Sequence, residues 1–274
     1  MSCSILFGLL NRKPKEIKVT KAEIARQDLN LLTKTLTSKR FTEKKEILIP
    51  LCGDGSLVQL YAEHEAELVV GTDPRGGLRT HWKALQKEHP SLPMLFLSEP
   101  GDALPYPDAS FDLVVLQNQL EYADNPKALL EEAARLLRPQ GLLCISMIPK
   151  YAPHAAGTAM IPMSYATLLS SSKTRSAFID KQCKRLEDGA LIRESLLTMN
   201  ERGQMRLKTE SRLTLSALLA HIKDLSGMKM VKALPQPTKK AFKSLCKVGG
   251  IKEICTERLI LVLEKEEIAE QTDS

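Results

Sequence analysis

Two glycines and one aspartate carry the clearest chemical signal in this chain. The apolar run Glu46-Ile47-Leu48-Ile49-Pro50-Leu51 stops at Cys52-Gly53-Asp54-Gly55. A second run, Leu68-Val69-Val70-Gly71-Thr72, ends on Asp73, twenty residues beyond Gly53. A glycine turn between a strand and a helix lets a ligand approach the backbone, and the free N–H groups of the helix N-terminus point at it. A carboxylate closing the next strand is placed to accept hydrogen bonds from both hydroxyls of a ribose. The spacing therefore points to a nucleoside. No third glycine follows where dinucleotide-binding enzymes have one, which argues against a dehydrogenase.

Other side chains could do chemistry near such a turn. Tyr122 lies beyond the apolar run Phe111–Leu116, and His154 beyond the run Leu142–Met147; both are candidate proton-handling groups. Each has a plainer reading, Tyr122 as core and His154 as surface. Tyr106 follows the loop Gly101–Asp108 and fits either a pocket wall or aromatic packing. Cys52 next to a helix start is a conceivable nucleophile, but no base is paired with it. His81 and His221 fall on expected helices, Asp112 at a strand start, and Lys239, Lys240, Lys243 and Lys247 on one helix face, all compatible with structural or solvated roles.

The elements that must position these residues alternate. Apolar runs at 46–51, 68–73, 94–97, 111–116, 142–147, 228–234 and 258–264 read as buried strands. Between them, 57–65, 80–88, 126–137, 214–225 and a stretch around 238–248 read as helices, with Ser56 a candidate cap for the first. Strands alternating with helices imply a parallel sheet covered on both faces. Residues 15–40 read as one or two amphipathic helices. Residues 150–212 lack the rhythm: Ser170–Ser172 reads as loop, and 194–198 with 204–209 as a hairpin around Asn200–Gly203. The division expected is a basic helical extension at 1–40, a core at 41–149, an insertion at 150–212, the rest of the core at 213–264 and an acidic tail at 265–274.

Composition narrows the class. The 274 residues are 43% hydrophobic and 26% charged, ordinary for a folded chain. No apolar run reaches the ~20 residues of a membrane span. Basic residues follow the apolar opening MSCSILFGLL, the wrong order for a secretory signal, so a cytoplasmic location is expected, with an organelle presequence left open. The six cysteines form no CxxC pair and no zinc-like spacing, so no metal is expected. The net charge of +6 is uneven. Residues 1–45 carry 11 basic and 4 acidic side chains, 46–172 carry 8 and 15, 173–258 carry 19 and 9, and 259–274 carry 1 and 5. Basic arms around an acidic centre suit either solubility or an anionic partner, but aromatic residues are only 4%, so nucleic acid is weakly supported.

The segment GDALPYPDASFDLVVLQNQLEYADNPKALLEEAARLLRPQGLLCIS, with the turn before it, resembles the class I S-adenosylmethionine-dependent methyltransferases. Over Ile47–Pro149 it is most similar to the subgroup that includes the ubiquinone and menaquinone biosynthesis methyltransferases. The resemblance implies an α/β fold: a Rossmann-like, seven-stranded methyltransferase sheet, mostly parallel with an antiparallel last strand and helices on both faces. It implies S-adenosyl-L-methionine as cofactor, and a small-molecule or lipid-like methyl acceptor covered by the 150–212 insertion. By position, Leu51, Cys52, Gly53 and Gly55 would pass beneath the methionine part, and Asp73 would hold the ribose beside Pro74 and Arg75. Asp102 would take the adenine amine with the N–H of Ala103, and Gln117 would face the methyl-transfer centre. Tyr122 stands where relatives often have histidine. The glycine motif departs from the pattern: Ile49 replaces an acid and Leu51 a glycine. Loss of that acid would weaken cofactor binding by about 1–3 kcal/mol. The PLCG stretch from Pro50 to Gly53 is similar to that of the thiopurine methyltransferases. A fold retained for binding alone, and an RNA or protein methyltransferase using the basic flanks, are the alternatives.

Overall fold

Four of the five residues of β1, Glu46–Pro50, are buried, as are four of the five in β2, Leu68–Thr72. Strands that lose both faces to packing must be apolar throughout, and these are. A computed structural model describes residues 21–35, 41–123, 125–152, 170–184, 193, 197–199, 203–207, 213–237 and 252–267. In chain order its elements are helix α1 (Lys21–Thr35), β1, α2 (Ser56–Ala62), β2, α3 (Arg79–Glu88), β3 (Met94–Leu97), β4 (Phe111–Gln117), α4 (Pro126–Leu136) and β5 (Leu137–Met147). There follow α5 (Ser172–Cys183), β6 (Leu197–Met199), β7 (Met205–Leu207), α6 (Leu215–Lys223), β8 (Met228–Pro237), α7 (Lys252–Cys255) and β9 (Thr256–Lys265).

Seven strands form one sheet in the order β3-β2-β1-β4-β5-β9-β8. Strands β1 to β5 pair in parallel, and antiparallel pairing enters with the C-terminal strands. The order reverses between β1 and β4, which opens a crevice beyond their C-terminal ends. The side chains of Ile47, Ile49, Leu113, Val115 and Cys144 enter one apolar cluster with Leu29 and Leu32 of α1, Val58 and Tyr61 of α2 and Trp82 of α3. The other face meets α4, whose Leu129 lies beside Pro50 at the end of β1.

The chain divides into two compact units. The strands of the crevice belong to the unit built from Val19–Met147, Leu218–Leu234 and Ile260–Ser274. The other contains Ile148–Ala217 and Pro235–Leu259. In that unit β6 and β7 form the expected antiparallel hairpin, Leu197 opposite Leu207. Helix α5 was not expected: Ser171, read as loop, is its N-cap and accepts from the Thr174 amide at 3.2 Å.

Three local expectations are corrected. Ser56 is the first helical residue of α2 and not its cap; the cap is Gly55 at φ 87°, and Asp54 Oδ1 accepts from the Ser56 amide at 3.0 Å. Helix α2 ends at Ala62, short of Glu65. Strand β5 starts at Leu137, because Leu137 pairs with Phe111 before a bulge, so the Arg138-Pro139-Gln140-Gly141 exit is part of the strand. The helix expected around 238–248 lies outside the described residues.

Candidate nucleoside site at the end of the sheet

Three residues of the first turn adopt left-handed backbone angles: Leu51 at φ 53°, Gly53 at 60° and Gly55 at 87°. The turn thus keeps a path that glycine follows freely and leucine follows at a cost of about 1–2 kcal/mol. Contacts fix it from both sides. The Cys52 amide donates to the Thr72 carbonyl at 2.9 Å, tying the turn to the end of β2. A Cβ on Gly55 would lie 2.8 Å from the Phe96 ring, and one on Gly71 would lie 2.6 Å from Val58 and 2.9 Å from Cys52. Glycine is needed at both positions for α2 and β3 to close on the turn.

Asp73 lies beside this turn with no solvent exposure. Its Oδ2 accepts from the Gly53 amide at 3.1 Å, so the carboxylate at the end of β2 and the glycine turn after β1 are one unit. Arg75 grips the same carboxylate. Its Nε and amide donate to Oδ1 at 2.7 and 3.1 Å, and its Nη2 donates to Oδ2 at 2.6 Å. Burial alone would raise the Asp73 carboxyl, but the Arg75 and Gly53 bonds outweigh it and hold it below the usual carboxylate range. Trp82 of α3, stacked on Phe96 at 5.2 Å, donates its Nε1–H to the Gly53 carbonyl at 2.8 Å. Arg75 and Pro74 are exposed.

The acidic loop reaches the turn through Gly101, where a Cβ would meet Pro50 and Leu129 at 3.0 Å and Leu51 at 3.5 Å. That places the exposed Asp102 and Ala103 next to Leu51 in the chain path. The loop is braced from α4. Glu132 accepts from the Leu104 amide at 2.8 Å, and Arg135 donates to Glu132, Asp108 and the carbonyls of Leu104 and Tyr106. Tyr106 packs edge-on against Phe111, 5.0 Å between centroids.

Beyond β4 the chain turns polar. Gln117 is buried, and its Nε2 donates to Asp28 of α1 at 2.9 Å; the Ser146 hydroxyl at the end of β5 donates to the same Asp28 oxygen at 2.8 Å. Asn118 takes a left-handed φ of 54° and donates its amide to the Ser146 carbonyl at 2.6 Å. Among the described residues, the buried side-chain oxygens Asn118 Oδ1 and Gln119 Oε1 have no hydrogen-bond partner. Glu121 is buried beside them in the chain.

The structure thus gathers Leu51, Cys52, Gly53, Gly55, Asp73 and Pro74, and brings the Asp102–Ala103 loop to the same turn. Gln117 ends the neighbouring strand with its amide committed to Asp28. The backbone of Tyr122 closes a short 3-10 turn, Leu120–Tyr122, but its side chain, like all of His154, lies outside what is described. Cys52 is not an activated nucleophile: burial first, then the charge of Asp73, pushes its thiol up to about 12. Asp112 sits at the opposite end of β4, where it accepts from the Glu46 amide at 2.9 Å. Sequence reasoning missed Asp28, Trp82, Asn118, Gln119 and Glu121. The available signal was the polar run Gln117-Asn118-Gln119 directly behind an apolar strand.

This arrangement can be compared with known proteins. Residues 50–145 match the family model described as a methyltransferase domain. A 50-residue stretch is 40% identical to an uncharacterized protein of Methanocaldococcus jannaschii, covering 18% of this chain and 24% of that protein's length. The chain thus spans about a quarter of that curated relative. An S-adenosylmethionine-dependent methyltransferase from Mesorhizobium loti superposes with TM-score 0.54 at 15% identity, over 87% of this chain and 98% of that one. The 1,6-didemethyltoxoflavin-N1-methyltransferase of Burkholderia thailandensis, with bound S-adenosylhomocysteine, gives 0.52 at 15%, over 90% and 80%. The cyclase SpnF gives 0.55 at 14%, over 93% and 85%. These likenesses identify the fold, and the match over residues 50–145 identifies the domain: through it the chain belongs to the class I S-adenosylmethionine-dependent methyltransferases.

Proposed function

We propose that this protein binds S-adenosylmethionine and transfers its methyl group to a small-molecule or lipid-like acceptor. One observation carries the reading: a fully buried carboxylate, Asp73, bonded to the amide of the glycine turn at 3.1 Å. Burying a carboxylate there is costly unless it serves a ligand or a partner. The ribose hydroxyls of the cofactor suit it, and the left-handed Gly53 and Gly55 leave no side chain between turn and ligand. Leu51 and Cys52 would lie under the methionine part, with Pro74 beside the ribose. Asp102 and the Ala103 amide would meet the adenine, and Gln117 would border the methyl-transfer end.

The bound cofactor would supply an activated methyl and its own leaving group. The protein's share is then alignment and exclusion of water. Tyr122 and His154 are the proposed proton-handling groups for an acceptor that must lose a proton. The methyltransferase of Burkholderia thailandensis, of like fold, acts on a small heterocycle, which supports a small acceptor here. No helix among the described residues is long and apolar enough to cross a membrane, which is compatible with the proposed cytoplasmic location.

Calorimetry with S-adenosylmethionine tests the reading. Micromolar binding is expected, weakened about tenfold or more by Asp73→Ala, the scale of lost charge-assisted hydrogen bonds. Intact protein that binds neither S-adenosylmethionine nor S-adenosylhomocysteine would refute it.

A second reading is a methyltransferase fold kept for binding without turnover. It is favoured by Leu51 in a strained turn and by an Asp73 already saturated by Arg75. The cyclase of like fold shows that the architecture does not dictate methyl transfer. An RNA or protein acceptor for the basic flanks would instead show as binding that weakens steeply with salt.

A further inference from the structure

The ends of β4 and β5 hold more hydrogen-bond acceptors than donors. Asp28, in the middle of α1, is fully buried there, and its Oδ2 already takes the Gln117 amide and the Ser146 hydroxyl. A buried carboxylate is retained only where donors or a positive charge offset its lost hydration. Next along the chain from Gln117, the buried oxygens Asn118 Oδ1 and Gln119 Oε1 have no partner among the described residues. Gln119 is 9% exposed. Its burial without a partner costs free energy that a bound donor would recover. The backbone reinforces this pattern: Asn118 is held at φ 54°, a strained angle for a residue with a side chain, of the kind that persists at ligand-binding positions.

No arginine or lysine fills the gap: none is named as a hydrogen-bond partner of Asp28, Gln117, Asn118 or Ser146. The group that fits is a compact cation rich in N–H donors. An ammonium offers three donors and no acceptor. The position next to this cluster that could have supplied an acid from the sheet itself is Ile49, fully buried in the same apolar cluster as Leu29, the neighbour of Asp28.

Resting on the cofactor assignment above, we infer that Asp28, with Asn118 and Gln119, receives the amino group of the cofactor's methionine part, so that helix α1 supplies the negative charge that β1 lacks at Ile49. The helix is then part of the binding site and not an extension of it. Asp28 also positions Gln117, whose amide it holds from behind.

Two ligands separate this role from a structural one. S-adenosylhomocysteine carries the amino group; 5′-methylthioadenosine shares the nucleoside and the thioether but has no amino group. Their dissociation constants are measured by calorimetry for the intact chain, for Asp28→Asn, which keeps the shape and one acceptor, and for Gln119→Leu. The expected result is a loss of about tenfold for S-adenosylhomocysteine in Asp28→Asn, a smaller loss in Gln119→Leu, and methylthioadenosine binding unchanged within about twofold in both. Equal losses for the two ligands, or no loss for either, would overturn the inference while leaving the cofactor reading in place. Failure of the unaltered protein to bind either ligand would instead overturn the cofactor reading. Should Asp28→Asn not fold, Gln119→Leu alone decides, since its selective loss needs the amino group to be at this cluster.

Discussion

Asp73 and Arg75 are joined by three hydrogen bonds: Arg75 Nε and amide to Oδ1 and Arg75 Nη2 to Oδ2, so that both carboxylate oxygens are occupied. The two partners differ in exposure, Asp73 being fully buried and the Arg75 side chain 66% exposed. A ribose that takes the carboxylate must displace the guanidinium. The pair therefore competes with the ligand, and its exposed half makes the competition sensitive to salt. Arg75→Met is expected to tighten S-adenosylmethionine binding by about three- to tenfold, the scale of a partly screened ion pair. Titrations at rising ionic strength check the cause: affinity of the unaltered protein should climb toward that of the variant. Weaker binding in Arg75→Met would show instead that the guanidinium holds the ligand.

Leu51 is the one residue of the first turn that bears a bulky side chain at a left-handed angle, φ 53°. Replacement by glycine removes a strain of about 1–2 kcal/mol, and the greater freedom of glycine in the unfolded chain returns about half of it. Leu51→Gly should therefore raise stability by about 0.5–1 kcal/mol, seen as a melting temperature higher by roughly 2 °C. Leu51→Ala keeps the Cβ that causes the strain and should give no gain. A rise of equal size in both variants would point to the lost leucine side chain and not to the backbone.

Glu132 links the brace on α4 to the acidic loop, accepting from Arg135 at 2.7 Å and from the Leu104 amide at 2.8 Å. The Arg135 bonds hold its carboxyl below the ordinary value of 4.5, with burial opposing more weakly. A depressed carboxyl stabilises the fold above its unfolded-chain value and loses that contribution as pH falls through the lower, folded one. Stability measured by urea unfolding should accordingly decline below about pH 4.5, in the range where unfolded glutamates protonate. Glu132→Gln should be less stable at neutral pH and show a flatter decline. An unchanged slope in the variant would mean that other carboxylates, Asp73 first among them, account for the acid loss.

The strands and the glycine turn were legible because buried parallel strands must be apolar along their length and the turn must be glycine where Phe96 and Val58 press on it. Asp73 was legible from its spacing alone. Asp28 was not: it lies in a helix whose charges look solvated, and only the fold carries it 89 residues along the chain to Gln117. Arg75 was visible as a flanking residue, but its grip on Asp73 depends on a side-chain conformation that no periodicity encodes. Helix α5 was missed because its apolar positions form no stripe, its buried residues including Arg175 and Ser176 alongside Ile179 and Cys183. Strand β5 was placed five residues late, since Arg138-Pro139-Gln140-Gly141 has the residues of a turn while its backbone follows the sheet edge past a bulge.

The C-terminus of α4 shows how a residue distant in sequence finishes an element near the site. Strand β5 follows Leu136 directly, so no glycine is available to satisfy the last carbonyls of the helix. Lys265, at the end of β9, reaches back to them: its ammonium donates to the carbonyls of Ala134 at 2.8 Å, Leu137 at 2.7 Å and Arg135 at 3.3 Å. The charge also complements the negative end of the helix. Burial lowers the ammonium's proton affinity, yet three acceptors surround it. Lys265→Met keeps the aliphatic stem and removes the donors, leaving partly buried carbonyls unsatisfied at a cost of about 1–3 kcal/mol. Because Arg135 stands on that last turn and braces the Asp102 loop, the variant should also show faster amide exchange at Leu104, whose N–H is bonded to Glu132. Loss of stability with protection of Leu104 unchanged would confine the role of Lys265 to the helix end and separate it from the loop.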